Sequence, residues 1–303
     1  MFKGFTNFNI SVQNDVTIHG IRSGTGPPLL LLHGFPQTHH IWHKVAPQLS
    51  DSFTVIAIDL RGYGQSSKPA STADSNHKAY SKSVMALDCI SAMSSLGFSN
   101  FDICSHDRGA RVAHKLCVDH PEKVGKVMFL DICPTLAMYE KTDMVFAKAY
   151  WHWFFLIQPS PFPETLILKN PEVFKAKFFE GGYAGRGSFI DEQAMKEYVK
   201  QYTDEETVHG MCEDYRAAST IDLMEARKDK QVGRKIKCPV RVLWGNKGVI
   251  QALFDALGEW REVSEGEVSG EVVNSGHYIP EEAPDVLLKH IDEFFGSDRA
   301  GKL

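Results

Sequence analysis

FDICSHDRGARVAHKLCVDH, residues Phe101–His120, changes its period at Asp107. Up to His106 the run is short and apolar like a buried strand. From Arg108 onward Val112, Ala113, Leu116 and Cys117 recur at helical intervals. Asp107 therefore sits where a strand meets a helix. Such a turn presses its central residue into a strained, exposed position and needs small neighbours, the pattern Gly-x-nucleophile-x-Gly. In Ser105-His106-Asp107-Arg108-Gly109, Gly109 fits, Ser105 stands for the first glycine, and a carboxylate takes the centre. The plainer reading of Asp107, which Ser105 in place of glycine leaves open, is a helix N-cap. The rest of the chain decides between the two.

Working outward, the first 30 or so residues alternate around Asn14-Asp15 as a hairpin would, and PPLLLLHGFP contains a strand, Leu29–Leu32, apolar on both faces. FTVIAIDLRGYGQSSKP is a second apolar run, ending at Asp59 in a glycine-rich loop. Lys82–Leu96 has helical spacing, VGKVMFLDI is another strand, and VRVLWG and GEVVNSGHYIP resume the sheet before a helix over Asp285–Phe295. Alternating strands and helices predict an α/β fold with a doubly wound, mostly parallel sheet. Residues 134–234 carry no convincing buried strand and read as an inserted helical cap. The core is then 1–133 plus 235–303. Sites in such sheets lie beyond the carboxyl ends of the strands, where Asp59, Asp107, Asp131 and His277 all fall.

The 303 residues carry a net charge of −5, which gives no footprint for nucleic acid. Six scattered cysteines, Cys89, Cys104, Cys117, Cys133, Cys212 and Cys238, read as reduced core residues. No leader-like or membrane-spanning run is evident, so the expected location is the cytoplasm. No cofactor or metal is expected, because His39-His40 and the other histidines lack ligand-like spacing with acids and His39-His40 reads as surface loop.

Three further pieces follow in order. His33-Gly34-Phe35-Pro36 succeeds the first parallel strand, where the backbone N–H groups of Phe35 and Arg108 can form an oxyanion hole. Ser275-Gly276-His277 succeeds the last strand, as a catalytic base would. The base needs an orienting carboxylate. The loop after VRVLWG reads Asn246-Lys247-Gly248-Val249-Ile250 and has no acid, which leaves Asp131.

With these residues placed, the sequence resembles the α/β-hydrolases of the epoxide hydrolase and haloalkane dehalogenase branch, and most closely the fluoroacetate (haloacetate) dehalogenases. The likeness runs through LLLLHGFPQTHHIWHKVAP, DLRGYGQSSKP, HDRGAR, LDICPT, YWHWFFLIQPSPFPE and MCEDYRA. It implies an aspartate nucleophile, Asp107, that displaces halide from an sp³ carbon, and an ester then hydrolysed by water activated at His277. A haloacetate is an anion, and approach to Asp107 costs roughly 4 kcal/mol at 4 Å and moderate dielectric. Arg108 and Arg111, three apart on one helical turn, offset this by gripping the substrate carboxylate bidentately; the family resemblance implies the same role. It also implies that His152, Trp153 and Tyr215 donate to the halide.

Arg108 argues against a haloalkane substrate, since the haloalkane dehalogenases place an aromatic residue after the nucleophile. Trp153, where epoxide hydrolases have a tyrosine, argues against ring opening, because an indole is a very poor acid. An epoxide hydrolase nevertheless stands as the alternative, with Tyr215 as the acid and Tyr150 or Tyr183 as a second one. A receptor role is a further one, since fold does not give function. The resemblance further implies a homodimer. The one departure lies in FFEGGYAGRG, Phe178–Gly187, which lacks the tryptophan that relatives carry near the pocket.

Overall fold

The strands are β1 (Thr6–Ser11), β2 (Thr17–Ser23), β3 (Pro28–Leu32), β4 (Thr54–Ile58), β5 (Phe101–His106), β6 (Val124–Leu130), β7 (Val240–Gly245) and β8 (Val268–Val273). They form one sheet ordered β1-β2-β4-β3-β5-β6-β7-β8. β1–β2 and β2–β4 pair antiparallel, and all other pairings are parallel. The structure is a computed structural model that describes residues 1–180 and 189–296. Most of the stretch lacking the expected tryptophan, with Tyr183, lies outside the described residues.

Five helices carry the argument: α1 (Lys82–Ser95), α2 (Asp107–Asp119), α3 (Trp151–Leu156), α4 (Glu205–Ser219) and α5 (Pro284–Phe295). The Ser81 hydroxyl caps α1 by accepting from the Val84 N–H at 3.3 Å. Every residue from Leu29 to Leu32 is fully buried because β3 has layers on both faces. Leu30 and Leu32 join the layer holding Met85 and Cys89 of α1 and Val112 and Leu116 of α2. Leu29 and Leu31 join the opposite layer with Trp42, Leu287 and Ile291. Each such leucine contributes about 1.5–3 kcal/mol of burial.

Between β6 and β7 the described residues form only helices and loops. Among the described residues no helix is long and apolar enough to cross a membrane. All six cysteines are free, and five of them are buried.

One expectation is corrected: His39-His40 is not surface loop. His39 is buried, with Nδ1 2.8 Å from Asp59 Oδ1, and His40 is half-buried. The Asp59 carboxylate also accepts the His39 and Gln65 N–H groups, so it ties the loop after β3 to the loop after β4.

The chain leaves β3 for β4 on one side and returns to β5 on the other, which makes the carboxyl ends of β3 and β5 the switch point of the sheet. His33-Gly34-Phe35 and Asp107 stand there.

Candidate active site

Asp107 follows β5 directly and begins α2 with φ +44°, a strained left-handed conformation for a residue with a side chain. Two glycines allow it. A Cβ on Gly109 would lie 2.4 Å from the His33 carbonyl oxygen, and one on Gly34 would lie 2.5 Å from the Asp107 Cβ. Ser105, at the place of the first glycine, is buried and donates to the Met128 carbonyl at 3.0 Å, so its hydroxyl is satisfied inside the sheet.

The Phe35 N–H donates to Asp107 Oδ1 at 2.9 Å. Asp107 Oδ2 lies 4.0 Å from His277 Nε2, too far for a hydrogen bond. One carboxylate oxygen is thus held by a backbone donor, while the other points toward the imidazole across a gap. On the far side of the ring, His277 Nδ1 is 2.6 Å from Asp131 Oδ2, and Asp131 Oδ1 accepts the Gly245 N–H at 2.9 Å. Asp131 also adopts a left-handed conformation, φ +52°. The loop carrying His277 is fastened by Glu282, whose carboxylate accepts the Gly276 and Tyr278 N–H groups at 2.7 and 2.9 Å.

Burial alone would push the Asp107 carboxyl up, but the charges of His277, Arg111, His106 and Arg108 outweigh it and hold the group below the ordinary carboxylate range. His277 moves the other way. Burial lowers it, and the hydrogen bond and charge of Asp131 followed by the charge of Asp107 raise it above an ordinary histidine. The arrangement holds an ionised carboxylate beside a base.

A cavity of about 10 Å³, room for about one water, separates these groups; Asp107, His277, Tyr150, His152, Phe178 and Tyr215 line it. His152 and Tyr215, singled out in the sequence, therefore meet the Asp107–His277 pair in one space. Burial lowers His152 to about 3, so its ring is neutral and can still donate one N–H. The ring lies parallel to Phe35, with centroids 5.9 Å apart.

Trp153, Arg108 and Arg111 stand behind that space. The Arg108 guanidinium lies over the Tyr215 ring at 4.1 Å and that of Arg111 over Trp153 at 4.7 Å, so two cation–π pairs back the lining. The structure changes the reading of Arg108 as a free bidentate clamp. Its Nε and Nη2 already contact Asp214 Oδ2 and Oδ1 at 2.8 and 2.9 Å, which leaves only Nη1. Among the described residues Arg111 has no carboxylate partner; its Nη1 donates to the Thr135 hydroxyl at 2.9 Å. Arg111 also borders a second cavity of about 440 Å³ on its other side, along with Lys115, Pro134 and Asp229.

Four buried donors in and behind the lining of this space lack an acceptor: Arg108 Nη1, Arg111 Nε, Trp153 Nε1 and the Tyr215 hydroxyl. Sequence reasoning reached all four side chains. It named Tyr150 as a candidate second acid, but it missed Asp214, although it quoted the surrounding MCEDYRA, and it missed Phe178 as a wall. Their only signal was placement next to quoted residues.

A family model described as the alpha/beta hydrolase fold matches residues 27–284. A fluoroacetate dehalogenase from Burkholderia sp is 41% identical over 99% of this chain and 97% of its own. A soluble epoxide hydrolase from Corynebacterium sp. (strain C12) is 31% identical over 93% and 94%. Among solved structures, a protein from Nostoc sp PCC 7120 assigned to the alpha/beta hydrolases is 49% identical, with TM-score 0.93, covering 97% of this chain and 99% of that one. With its parallel sheet, its strained aspartate at the switch point and these relatives, the chain belongs to the α/β-hydrolase family, among the fluoroacetate dehalogenases and epoxide hydrolases.

Proposed function

We propose that the protein hydrolyses a short 2-haloacid, fluoroacetate or chloroacetate, to glycolate and halide. The observation that carries this reading is the set of four buried donors without acceptors around an ionised carboxylate. A buried unmade hydrogen bond costs about 1–3 kcal/mol, and one small anion with a polar carbon–halogen bond supplies acceptors at both ends. Arg111 and Arg108 Nη1 take the carboxylate. Tyr215, Trp153 and His152 meet the halide.

In the first step Asp107 Oδ2 attacks the halogen-bearing carbon, a C–O bond forms, and the carbon–halogen bond breaks with its electron pair leaving on halide. In the second, His277 Nε2 takes a proton from water, whose oxygen attacks the Asp107 carboxyl carbon. The oxyanion then develops on Oδ1, where the Phe35 N–H already lies, joined by the N–H of Arg108. Collapse breaks the bond from that carbon to Oδ2, the leaving glycolate oxygen takes the proton from His277, and the second proton of the water passes from the new Asp107 carboxyl through His277 to solvent, which regenerates the carboxylate. Asp131 holds the ring with Nδ1 protonated. The segment 134–234 serves as the cap that supplies the halide donors and keeps the site dry.

Arg111→Gln is expected to raise KM for chloroacetate about 10- to 100-fold, the worth of one charge-assisted contact, with kcat changed far less; steady-state halide release measures this. A second expectation concerns pH. Asp107 as an anion helps raise His277, and alkylation removes that charge, so His277 in the ester is more acidic than in the free enzyme. The acid limb of kcat should therefore fall at a lower pH than the His277 titration of the free enzyme followed by NMR.

The test of the reaction is ion chromatography of halide from fluoroacetate and chloroacetate, with an epoxide assayed beside them for diol. Halide from either acid supports the reading. Diol without halide would replace it with ring opening, for which Tyr215 is the buried hydroxyl at hand.

A further inference from the structure

Arg108 is enclosed by a network that no step of the proposed reaction uses. The carboxylate of Asp214, on α4, receives four donors. Arg108 Nε and the Tyr63 hydroxyl reach Oδ2 at 2.8 and 2.7 Å, and Arg108 Nη2 reaches Oδ1 at 2.9 Å. Lys82 Nζ also donates to Oδ1. The Asp214 carbonyl oxygen accepts a further bond from Arg108 Nη2 at 2.9 Å. Tyr63, Arg108, Lys82 and Asp214 are all buried, with Asp214 and Arg108 at 0% exposure. Lys82 is also 3.3 Å from Asp222, so two cations and two anions balance. Below this array, Tyr215, the neighbour of Asp214, lies under the Arg108 plane.

Asp214 holds the guanidinium along its Nε–Nη2 edge and Tyr215 covers one face, which leaves Nη1 as the unengaged nitrogen. An arginine whose sole duty was to neutralise Asp214 would gain nothing from leaving Nη1 buried without an acceptor.

We propose that Asp214, held by Lys82 and Tyr63, is a positioning residue: it fixes Arg108 so that Nη1 alone faces the substrate carboxylate, and it cancels the charge of Arg108 so that Arg111 is the net cation of the site. This deepens the haloacid reading and rests on it for the identity of the ligand. Specificity follows from the geometry. Arg108 supplies direction and Arg111 supplies charge, which favours a monoanion over a dianion.

The test uses the full-length protein and acetate, a carboxylate without a leaving group, with Kd read by calorimetry. Asp214→Asn keeps the shape but turns one acceptor into a donor facing Arg108. It is expected to weaken acetate by about tenfold or more, and to add nothing further in an Arg108→Gln background, because the effect acts through Arg108. Tyr63→Phe, which removes a single bond to Oδ2, is expected to weaken acetate by about threefold and likewise to add nothing in that background, and it serves where Asp214→Asn does not fold. Acetate affinity unchanged in both variants, equal losses with and without Arg108, or no acetate binding by the wild type would each overturn the proposal. Wild-type protein that binds acetate and releases no halide would overturn the reaction while leaving the positioning role to stand on the Kd values.

Discussion

Asp107→Asn should lower halide release from chloroacetate by at least about 10⁴-fold, the scale seen when a nucleophile is removed from a covalent mechanism. The substitution keeps the shape of the side chain. What it removes is the negative oxygen that attacks, and nothing nearby can replace it. Ser105 is turned into the sheet toward Met128, and the Asp131 carboxylate is engaged by His277 and Gly245. The left-handed backbone at Asp107 is tolerated by Asn, so folding should survive. Ion chromatography gives the rate, and the intact mass excludes reversion of the amide to aspartate. A variant that retains a tenth of the activity would mean that another group, or water directly, attacks the carbon.

His277→Asn should separate the two halves of the reaction. The first displacement needs Asp107 ionised, and Arg111 and Arg108 remain to help hold it so, after His277 itself is lost as the strongest of the charges that lower it. The second half needs a base, the role the proposed reaction gives to His277, whose Nε2 lies 4.0 Å from Asp107 Oδ2. Rapid mixing should therefore show about one halide per active site, followed by turnover slowed about 10²–10⁴-fold, the range for loss of general-base help. Steady release without a burst would place the slow step before the ester.

Much of the fold was legible because its signals are local. Four consecutive leucines in β3 mark a strand covered on both faces, and the change of period at Asp107 marks the turn. The pairing of Asp131 with His277 was reached by the absence of an acid after VRVLWG, and the structure brings the two side chains to 2.6 Å. What escaped were relations between distant segments. MCEDYRA was read for Tyr215, yet Asp214 is what engages Arg108, 106 residues earlier in the chain. Successive residues on a helix point about 100° apart, so Asp214 can grip the edge of the guanidinium while Tyr215 supports its face. His39 was read as loop because its partner, Asp59, lies beyond the next strand. The space left between Asp107 and His277 depends on how Phe178 and Tyr150 pack, which residue spacing does not reveal.

The proposed reaction stands or falls with a covalent bond between Asp107 and the carbon that bore the halogen. Intact-mass spectrometry of His277→Asn after exposure to chloroacetate, followed by peptide mapping, tests it most directly. One added carboxymethyl group per chain is expected, located on the peptide that contains Asp107. Release of a stoichiometric burst of chloride with no such adduct would contradict it.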